Sequence, residues 1–557
     1  MAYNPENPII IQSDKSVLLE TGNPKYEESR DYLSRFAELE KSPEYIHTYR
    51  ITPLSLWNAA ASGMELDEII WFLKSYSKYD VPSNVIEDIK DYTSRYGRLK
   101  LIKEITGDLI LESEDDILIT EIFHHKSIRP LIEERLNRRR LLIKPGARGY
   151  LKQNLIKIGY PVEDFAGYVK GSHLDISFRP RTRKGRLFQL RKYQEDAINA
   201  FYAGGSNRGG SGVLVLPCGA GKTIIGMGIM EKIKMHTLIL GTNVIAIRQW
   251  RDELLDKTTI DENTIGEYTG EVKEICPVTL STYQILTYRY TKKDKFLHFS
   301  LFDRQNWGLI IYDEVHLLPA PIFRAVANLQ AKRRLGLTAT LIREDGKEED
   351  VFSLIGPKKY DVPWKTLESQ GWIAKALCKE IRIPFSSDEE RLKYAVAHQR
   401  SKFRLASTNE KKFEVVFNIL KNHKNDNILI IGQYLDQLKR LADKLNAPII
   451  TGQTANVLRE NLYNDFRKGK IKILIVSKVA NFAIDLPDAN VAIQISGTFG
   501  SRQEEAQRLG RILRPKKGEN YAYFYSIITK DTKDQDYSAN RQLFLTEQGY
   551  KYKIENI

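Results

Sequence analysis

GVLVLPCGAGKTIIGMGIMEKIK, residues 212–234, decides how this chain is read. An apolar run, Gly212–Leu216, breaks at Pro217 into a short glycine-rich turn, and a run of helical pattern follows from Thr223. A strand that passes through Gly-x-Gly-Lys-Thr into a helix is the context a phosphate-binding loop requires. Gly219 and Gly221 let the backbone curl, so that the N–H groups of Cys218, Gly219, Ala220 and Gly221 can face a polyphosphate. Lys222 reaches the β- and γ-phosphates as a point charge, Thr223 offers its hydroxyl to Mg²⁺, and the helix N-terminus adds a favourable dipole. Cys218 reads as a small packing residue rather than a nucleophile.

The same rhythm of apolar run and helical pattern repeats outward from this loop. HTLILGTN (236–243), VTLSTY (278–283), WGLIIYDE (307–314) and LGLTAT (335–340) form one series. NILIIG (427–432), KILIVS (472–477), NVAIQIS (490–496) and YAYFYSII (521–528) form a second. Short buried strands alternating with helices predict parallel sheets with crossover helices, and two series predict two α/β domains in tandem.

Further chemistry-bearing residues sit at the strand ends. Asp313–Glu314–Val315–His316 follows an apolar strand about ninety residues beyond the loop. Adjacent carboxylates there divide the labour: Asp313 holds Mg²⁺ through water, and Glu314 orients and deprotonates the attacking water. His316 reads as a relay of the ATP state. Thr338–Ala339–Thr340 ends the next strand, where hydroxyls could link the ATP site to the second domain; alone, TAT is a poor signal. Gln194, in LRKYQEDAI, is placed to read the adenine edge, the alternative being a plain helix start. In QRLGRILR (507–514), three arginines at i, i+3 and i+6 lie along one helical face. Opposite an ATP bound in the first domain, Arg511 and Arg514 would act as arginine fingers and Gln507 would touch the γ-phosphate region; a solvated basic helix is the alternative.

The bulk composition agrees. A chain of 557 residues exceeds one core and predicts three or four domains. Its net charge of +14 suits a polyanionic partner, although many basic proteins bind no nucleic acid. Three separated cysteines imply no disulfide framework and no cysteine-rich metal cluster. No run is long and apolar enough for a membrane span, and MAYNPENPII lacks the marks of a signal peptide, so a cytoplasmic protein is expected, nucleoid-associated if prokaryotic; a monomer is expected. SLWNAAASGMELDEIIWFLKSY, residues 55–76, predicts one packed amphipathic helix. FRPRTRKGR, residues 178–186, predicts an exposed basic linker.

These elements, in this order, resemble helicase superfamily two. The resemblance narrows at LTATLIREDGKEEDVFSLIGPKKY (337–360), SKVANFAIDLPDANVAIQIS (477–496), GSRQEEAQRLGRILRPKKG (500–518) and RQLFLTEQGYKY (541–552), which are similar to the XPB family of DNA repair helicases. It extends to YRITPLSLWNAAASGMELDEIIWFL (49–73) and SRYGRLKL (94–101). The resemblance implies an α/β fold of two tandem RecA-like parallel-sheet motor domains, preceded by smaller mixed α+β domains. Its boundaries are 1–125 for an accessory domain, 126–185 for a damage-recognition-like domain and linker, and 186–366 and 367–557 for the motors. It further implies ATP and Mg²⁺ as cofactors, 3′→5′ polarity, and duplex or forked DNA as partner. Arg343, Glu344 and Asp345 would engage DNA at the point of opening. A thumb-like insertion at about 385–408, with Arg391, Lys393, Arg400, Lys402 and Arg404, would grip the backbone; a solvated charged helix is the alternative. Ala480 stands where the family often has glycine, while the nucleotide-coupling Asp485 is kept. The length suits a stand-alone prokaryotic or viral relative, which leaves a transcription role open. Two rival readings are an ATP-regulated scaffold that recruits a nuclease or other repair protein with little unwinding of its own, and an RNA helicase, since motor motifs grip backbone and say little about the sugar.

Overall fold

The computed structural model describes residues 3–557 except 44, 207–208, 218, 292–295, 303, 320–321, 323–331, 341–347, 478–488, 498–504, 506–507, 511 and 513–520. The chain forms two compact units, one of residues 1–38, 48–216 and 221–362, the other of 39–47, 217–220 and 363–557.

The first unit carries a seven-stranded parallel sheet. Its strand order is Ile265–Tyr268, Val278–Thr282, Thr237–Gly241, Leu309–Asp313, Arg333–Thr338, Ser211–Val215 and Lys358–Asp361. Helices cover both faces, which is why the strands read as unbroken apolar runs rather than alternating ones: Leu309, Ile310, Ile311 and Tyr312 are all fully buried. The helix Lys222–Ile233 carries glycines at 226 and 228 because a Cβ at either would run into Trp250 or Ile198. The glycines lower helix propensity by about 1 kcal/mol each and in return allow close packing.

The same unit holds the N-terminal third apart from residues 39–47. Strands Ile9–Ile11 and Ser16–Glu20 pair antiparallel. The helix expected across 55–76 is two helices, Pro53–Ala61 and Leu66–Tyr76. They part at Gly63, whose φ of +90° lies in the left-handed region that stops a helix. A five-stranded sheet follows in the order Ile132–Arg135, Arg140–Ile143, Leu109–Glu112, Leu99–Lys103 and Val162–Asp164. The expected domain boundary at 125/126 falls inside this sheet. Leu118, Ile119 and Ile122 of helix Asp116–His124 share one apolar cluster with Ile132, Leu141 and Leu151, so residues on both sides of 125 belong to a single core. Two N-terminal helices meet helix Glu348–Leu354 of the motor domain: Trp57 of Pro53–Ala61 lies against Phe352, ring centroids 6.5 Å apart, and Gln153 of Arg148–Lys157 donates a 2.8 Å hydrogen bond to Asp350. The basic stretch 178–186 is exposed as expected, but it is tied down: Arg179 donates 2.6 Å to the Thr258 carbonyl and Arg183 N–H 2.8 Å to that of Asp256.

The second unit carries another seven-stranded parallel sheet. Its order is Ile449–Ile450, Ile473–Ser477, Ile428–Gly432, Val491–Gln494, Tyr521–Thr529, Lys375–Ile383 and Tyr552–Asn556. The two motor sheets therefore match the expected fold class. The thumb-like stretch forms helices Asp388–Val396 and Gln399–Ser407.

Candidate active site

The phosphate-binding loop leaves the sheet from strand Ser211–Val215, which lies between Arg333–Thr338 and Lys358–Asp361. Leu216 N–H continues the ladder to the Thr338 carbonyl at 2.9 Å, so the loop and the Thr338–Thr340 segment emerge side by side. Gly219 and Gly221 have φ of +82° and +80°, the region where a side chain is strained. At Gly221 a Cβ would also fall 2.7 Å from Gln194 Nε2. Gln194 is buried in helix Lys192–Tyr202, where its Oε1 accepts from Arg191 N–H at 3.0 Å. The residue expected to read adenine is thus fixed against the loop.

Lys222 opens the helix Lys222–Ile233, and its ammonium lies 3.3 Å from Glu314 Oε1. The two come from different strand ends and converge on one spot. Asp313 ends strand Leu309–Asp313. Its Oδ2 accepts from Trp250 Nε1 at 3.0 Å and its Oδ1 from Glu314 N–H at 3.1 Å. Burial, reinforced by the Glu314 charge, pushes the Asp313 carboxyl up to about 6; the Trp250 hydrogen bond and the Lys222 ammonium pull the other way. A buried carboxyl whose negative charge is under-compensated suits a divalent cation, and Thr223, near the start of helix Lys222–Ile233, could offer it an oxygen ligand. One carboxylate and one hydroxyl would leave the ion's remaining positions to water and phosphate; among the described residues there is no group of three or more His, Cys, Asp and Glu that could hold a metal.

Glu314 has φ of +51°, left-handed for a residue with a side chain, at a cost of about 1–3 kcal/mol. That turn breaks the strand and sends the Glu314 carboxylate toward Lys222. His316 is buried, with Nδ1 2.7 Å from Thr338 Oγ1 and 3.5 Å from Glu314 Oε2. The Thr338 hydroxyl gives its one proton to the Thr340 carbonyl, so in the histidine contact Nδ1–H is the donor. A hydrogen-bonded path therefore runs from His316 through Thr338 to Thr340, with Glu314 Oε2 3.5 Å from its histidine end.

Trp250 is the residue that sequence reasoning missed. Its only trace in the sequence is Gly226 within the helix after the loop, the position that makes room for the indole.

Other expected site residues spread over both units. Cys218, Arg343, Glu344, Asp345, Ala480, Asp485, Gln507, Arg511 and Arg514 lie outside the described residues. Arg508, the first of the three helical arginines, is buried and donates to Gln494 Oε1. In the thumb-like pair, Lys402 sits over the Tyr394 ring at 5.3 Å, and Arg404 makes an exposed 3.1 Å ion pair with Asp436. No helix among the described residues is long and apolar enough to cross a membrane.

Residues 367–556 match the family model described as ERCC3/RAD25/XPB C-terminal helicase. Residues 187–343 match the one described as type III restriction enzyme, res subunit, and residues 9–137 one described as helicase conserved C-terminal domain. The chain is 53% identical over 551 residues to the DNA 3′-5′ helicase XPB of Mycobacterium tuberculosis, covering 99% of this chain and 98% of that one. Against the DNA 3′-5′ helicase XPB of Kineococcus radiotolerans it is 52% identical over 549 residues, with coverages of 99% and 96%. Against the general transcription and DNA repair factor IIH helicase/translocase subunit XPB of Enterocytozoon bieneusi it is 35% identical over 581 residues, with coverages of 99% and 93%.

Proposed function

The chain belongs to the XPB family of DNA helicases, and from that premise we propose that it couples ATP hydrolysis to 3′→5′ movement along DNA in repair, as a prokaryotic-type member. It is an ATP-hydrolysing DNA helicase. The observation that carries the assignment of its reaction centre is the convergence of Lys222 and Glu314, 3.3 Å apart, beside the glycine-rich loop.

In this reading Lys222 and the N–H groups of residues 218–221 hold the β- and γ-phosphates of ATP. Thr223 and Asp313 would hold Mg²⁺, which supplies charge neutralisation to the phosphate oxygens. Glu314 accepts the proton of the attacking water, a role worth about 10²–10⁴-fold in rate. Gln194 reads the adenine edge. Gln507, Arg511 and Arg514 bring further hydrogen bonds and positive charge to the transferring phosphoryl group, and Asp485 belongs to the same nucleotide-coupled set. The path His316–Thr338–Thr340, with Glu314 at its histidine end, reports the state of the γ-phosphate to the end of the neighbouring strand. Arg343, Glu344 and Asp345 engage the DNA, and Lys402 and Arg404 grip its backbone. A nuclease or other repair protein as partner remains part of this proposal.

ATPase measured alongside strand displacement on forked, 3′-tailed and 5′-tailed duplexes tests it. We expect DNA-stimulated ATPase, unwinding of the 3′-tailed substrate, and loss of both in Lys222→Ala. Unchanged ATPase in that variant sinks the site assignment. Unwinding of only the 5′-tailed duplex overturns the polarity, and stronger stimulation by RNA than by DNA overturns the substrate.

A further inference from the structure

The basic stretch 178–186, ahead of the phosphate-binding loop, has no part in the reaction centre. It belongs to a short hairpin of the first unit, and the backbone of that hairpin is pinned. Within it Thr182 N–H donates to the Arg186 carbonyl at 2.9 Å, Gly185 N–H to the Thr182 carbonyl at 2.9 Å and Phe188 N–H to the Pro180 carbonyl at 3.0 Å. Gly185, with φ of +79°, allows the turn. Outward, Phe178 N–H donates to Glu231 Oε1 at 2.8 Å, and the N–H groups of Arg179 and Arg183 donate to the carbonyls of Lys257 and Asp256, both at 2.8 Å. The hairpin is thus clamped to helix Lys222–Ile233 and to the C-terminal end of helix Val244–Lys257.

Its side chains are left to solvent. Arg181, Arg183, Lys184 and Arg186, four cations in six residues, are exposed. Arg181 spends one N–H on the Gly185 carbonyl at 3.2 Å. Among the described residues, the side chains of Arg183, Lys184 and Arg186 make no hydrogen bond and no ion pair. Other surface cations of this unit find carboxylates: Lys192 meets Asp196 at 2.9 Å and Arg248 meets Glu267 at 3.2 Å. Acids beside the hairpin are engaged elsewhere. Asp256 accepts from Lys184 N–H at 3.3 Å and pairs with Lys257 at 3.4 Å, and Asp261 accepts from the Thr264 hydroxyl at 2.7 Å. Like charges held close on a pinned turn repel one another, and a polyanion converts that repulsion into attraction. With the backbone already ordered and no ion pair to break, little is lost on binding. A site for single strands also needs exposed aromatic faces on which bases stack. Here the two rings, Phe178 and Phe188, are half-buried and pack against each other with centroids 5.0 Å apart. The hairpin offers charge alone, which fits the phosphates on the outside of a duplex.

We propose that residues 181–186 are a further DNA contact of the first unit, a grip on the phosphates of duplex DNA apart from the reaction centre. Arg183, Lys184 and Arg186 each neutralise a phosphate, and Arg181 braces the turn through the Gly185 carbonyl. The inference rests on the reading of DNA as the partner.

The test measures duplex DNA binding by the full-length protein, without nucleotide, over a range of salt, with melting temperature in parallel. Arg183→Gln/Lys184→Gln/Arg186→Gln removes the three unpaired charges. We expect it to melt like the parent and to bind duplex at least about tenfold more weakly at 0.1 M salt. The slope of log affinity against log salt should fall by about three, one for each cation. Arg183→Lys/Arg186→Lys keeps the charge and should keep the parental slope. A single strand of the same sequence should lose less affinity than the duplex. A parental slope in the glutamine variant overturns the inference, and so does an equal loss of slope in the lysine variant. An equal loss on the single strand, or a loss on duplex RNA with none on duplex DNA, overturns the partner assigned to the hairpin. Should the triple variant melt early, Lys184→Gln alone decides: a slope lower by about one supports the contact, and a parental slope rejects it. A parent that binds no duplex DNA at all brings down the reading of DNA as partner, whereas a parent that binds and a variant that matches it bring down the hairpin alone.

Discussion

Two adjacent carboxylates carry different roles here because the backbone separates them. Asp313 still belongs to its strand and is gripped by Trp250 and by the next peptide N–H, whereas Glu314 has turned into the left-handed region and faces Lys222. Glu314→Gln keeps the shape and removes the base. We expect ATP to bind and kcat to fall by about 10²–10⁴-fold; single-turnover hydrolysis at the parental rate would remove Glu314 from the chemistry. Trp250→Phe keeps the packing and removes the 3.0 Å hydrogen bond to Asp313. Partners of this kind are commonly worth about 10–100-fold in metal affinity. A Mg²⁺ titration of ATPase should therefore show a higher half-saturating concentration, and an unmoved midpoint would reject the indole as a support for the metal ligand. The pair Asp313–Glu314 was legible in the sequence, since a DE at the end of an apolar strand has few other uses. Trp250 was not, because it reaches Asp313 from a helix 63 positions away and nothing in its own surroundings marks it.

In the N-terminal third a buried knot of charge ties a helix to a strand. Asp164, in strand Val162–Asp164, pairs with Arg148 at 2.7 Å and Lys152 at 3.1 Å, both from helix Arg148–Lys157. Burial alone would raise the Asp164 carboxyl, but the Lys152 and Arg148 charges outweigh it and hold it well below the usual carboxylate range. Lys152 itself is lowered by burial to about 8, against the pull of Asp164. A carboxylate with a depressed folded pKa contributes stability that is fully present above its unfolded value of 3.8 and is lost as pH falls through the lower folded value. Asp164→Asn leaves two buried cations without their partner and should cost about 3–5 kcal/mol at neutral pH. The difference in melting temperature between parent and variant should shrink below pH 4; a gap independent of pH would mean the carboxylate acts by packing alone. The sequence predicted helices and short strands in this region, yet placed a domain boundary at 125/126. The five-stranded sheet around residues 99–164 is closed by pairing between strands on either side of that point, and no local signal encodes such pairing.

Across the whole molecule the net charge of +14 sets the response to salt. Phosphate contacts release counterions, so the logarithm of the DNA affinity should fall linearly with log salt. Lys402→Ala and Arg404→Ala should each weaken binding across sequences and reduce the slope by about one. Arg404 gives up an exposed pair with Asp436, worth about 0–1 kcal/mol, and its place over the Tyr434 ring when it turns to a phosphate. An unchanged slope would exclude these residues from the backbone contact. The two motor sheets, the phosphate-binding loop and the carboxylate pair were determined by the sequence itself, because strand–turn–helix periodicity and residue spacing are local properties that a linear chain already contains. The indole on Asp313, the link from His316 through Thr338 to Thr340 and the single core across residue 125 were decided only by tertiary structure. Each joins residues that the chain keeps apart, and each depends on burial, which strengthens a charge or hydrogen bond only once folding has removed the water around it.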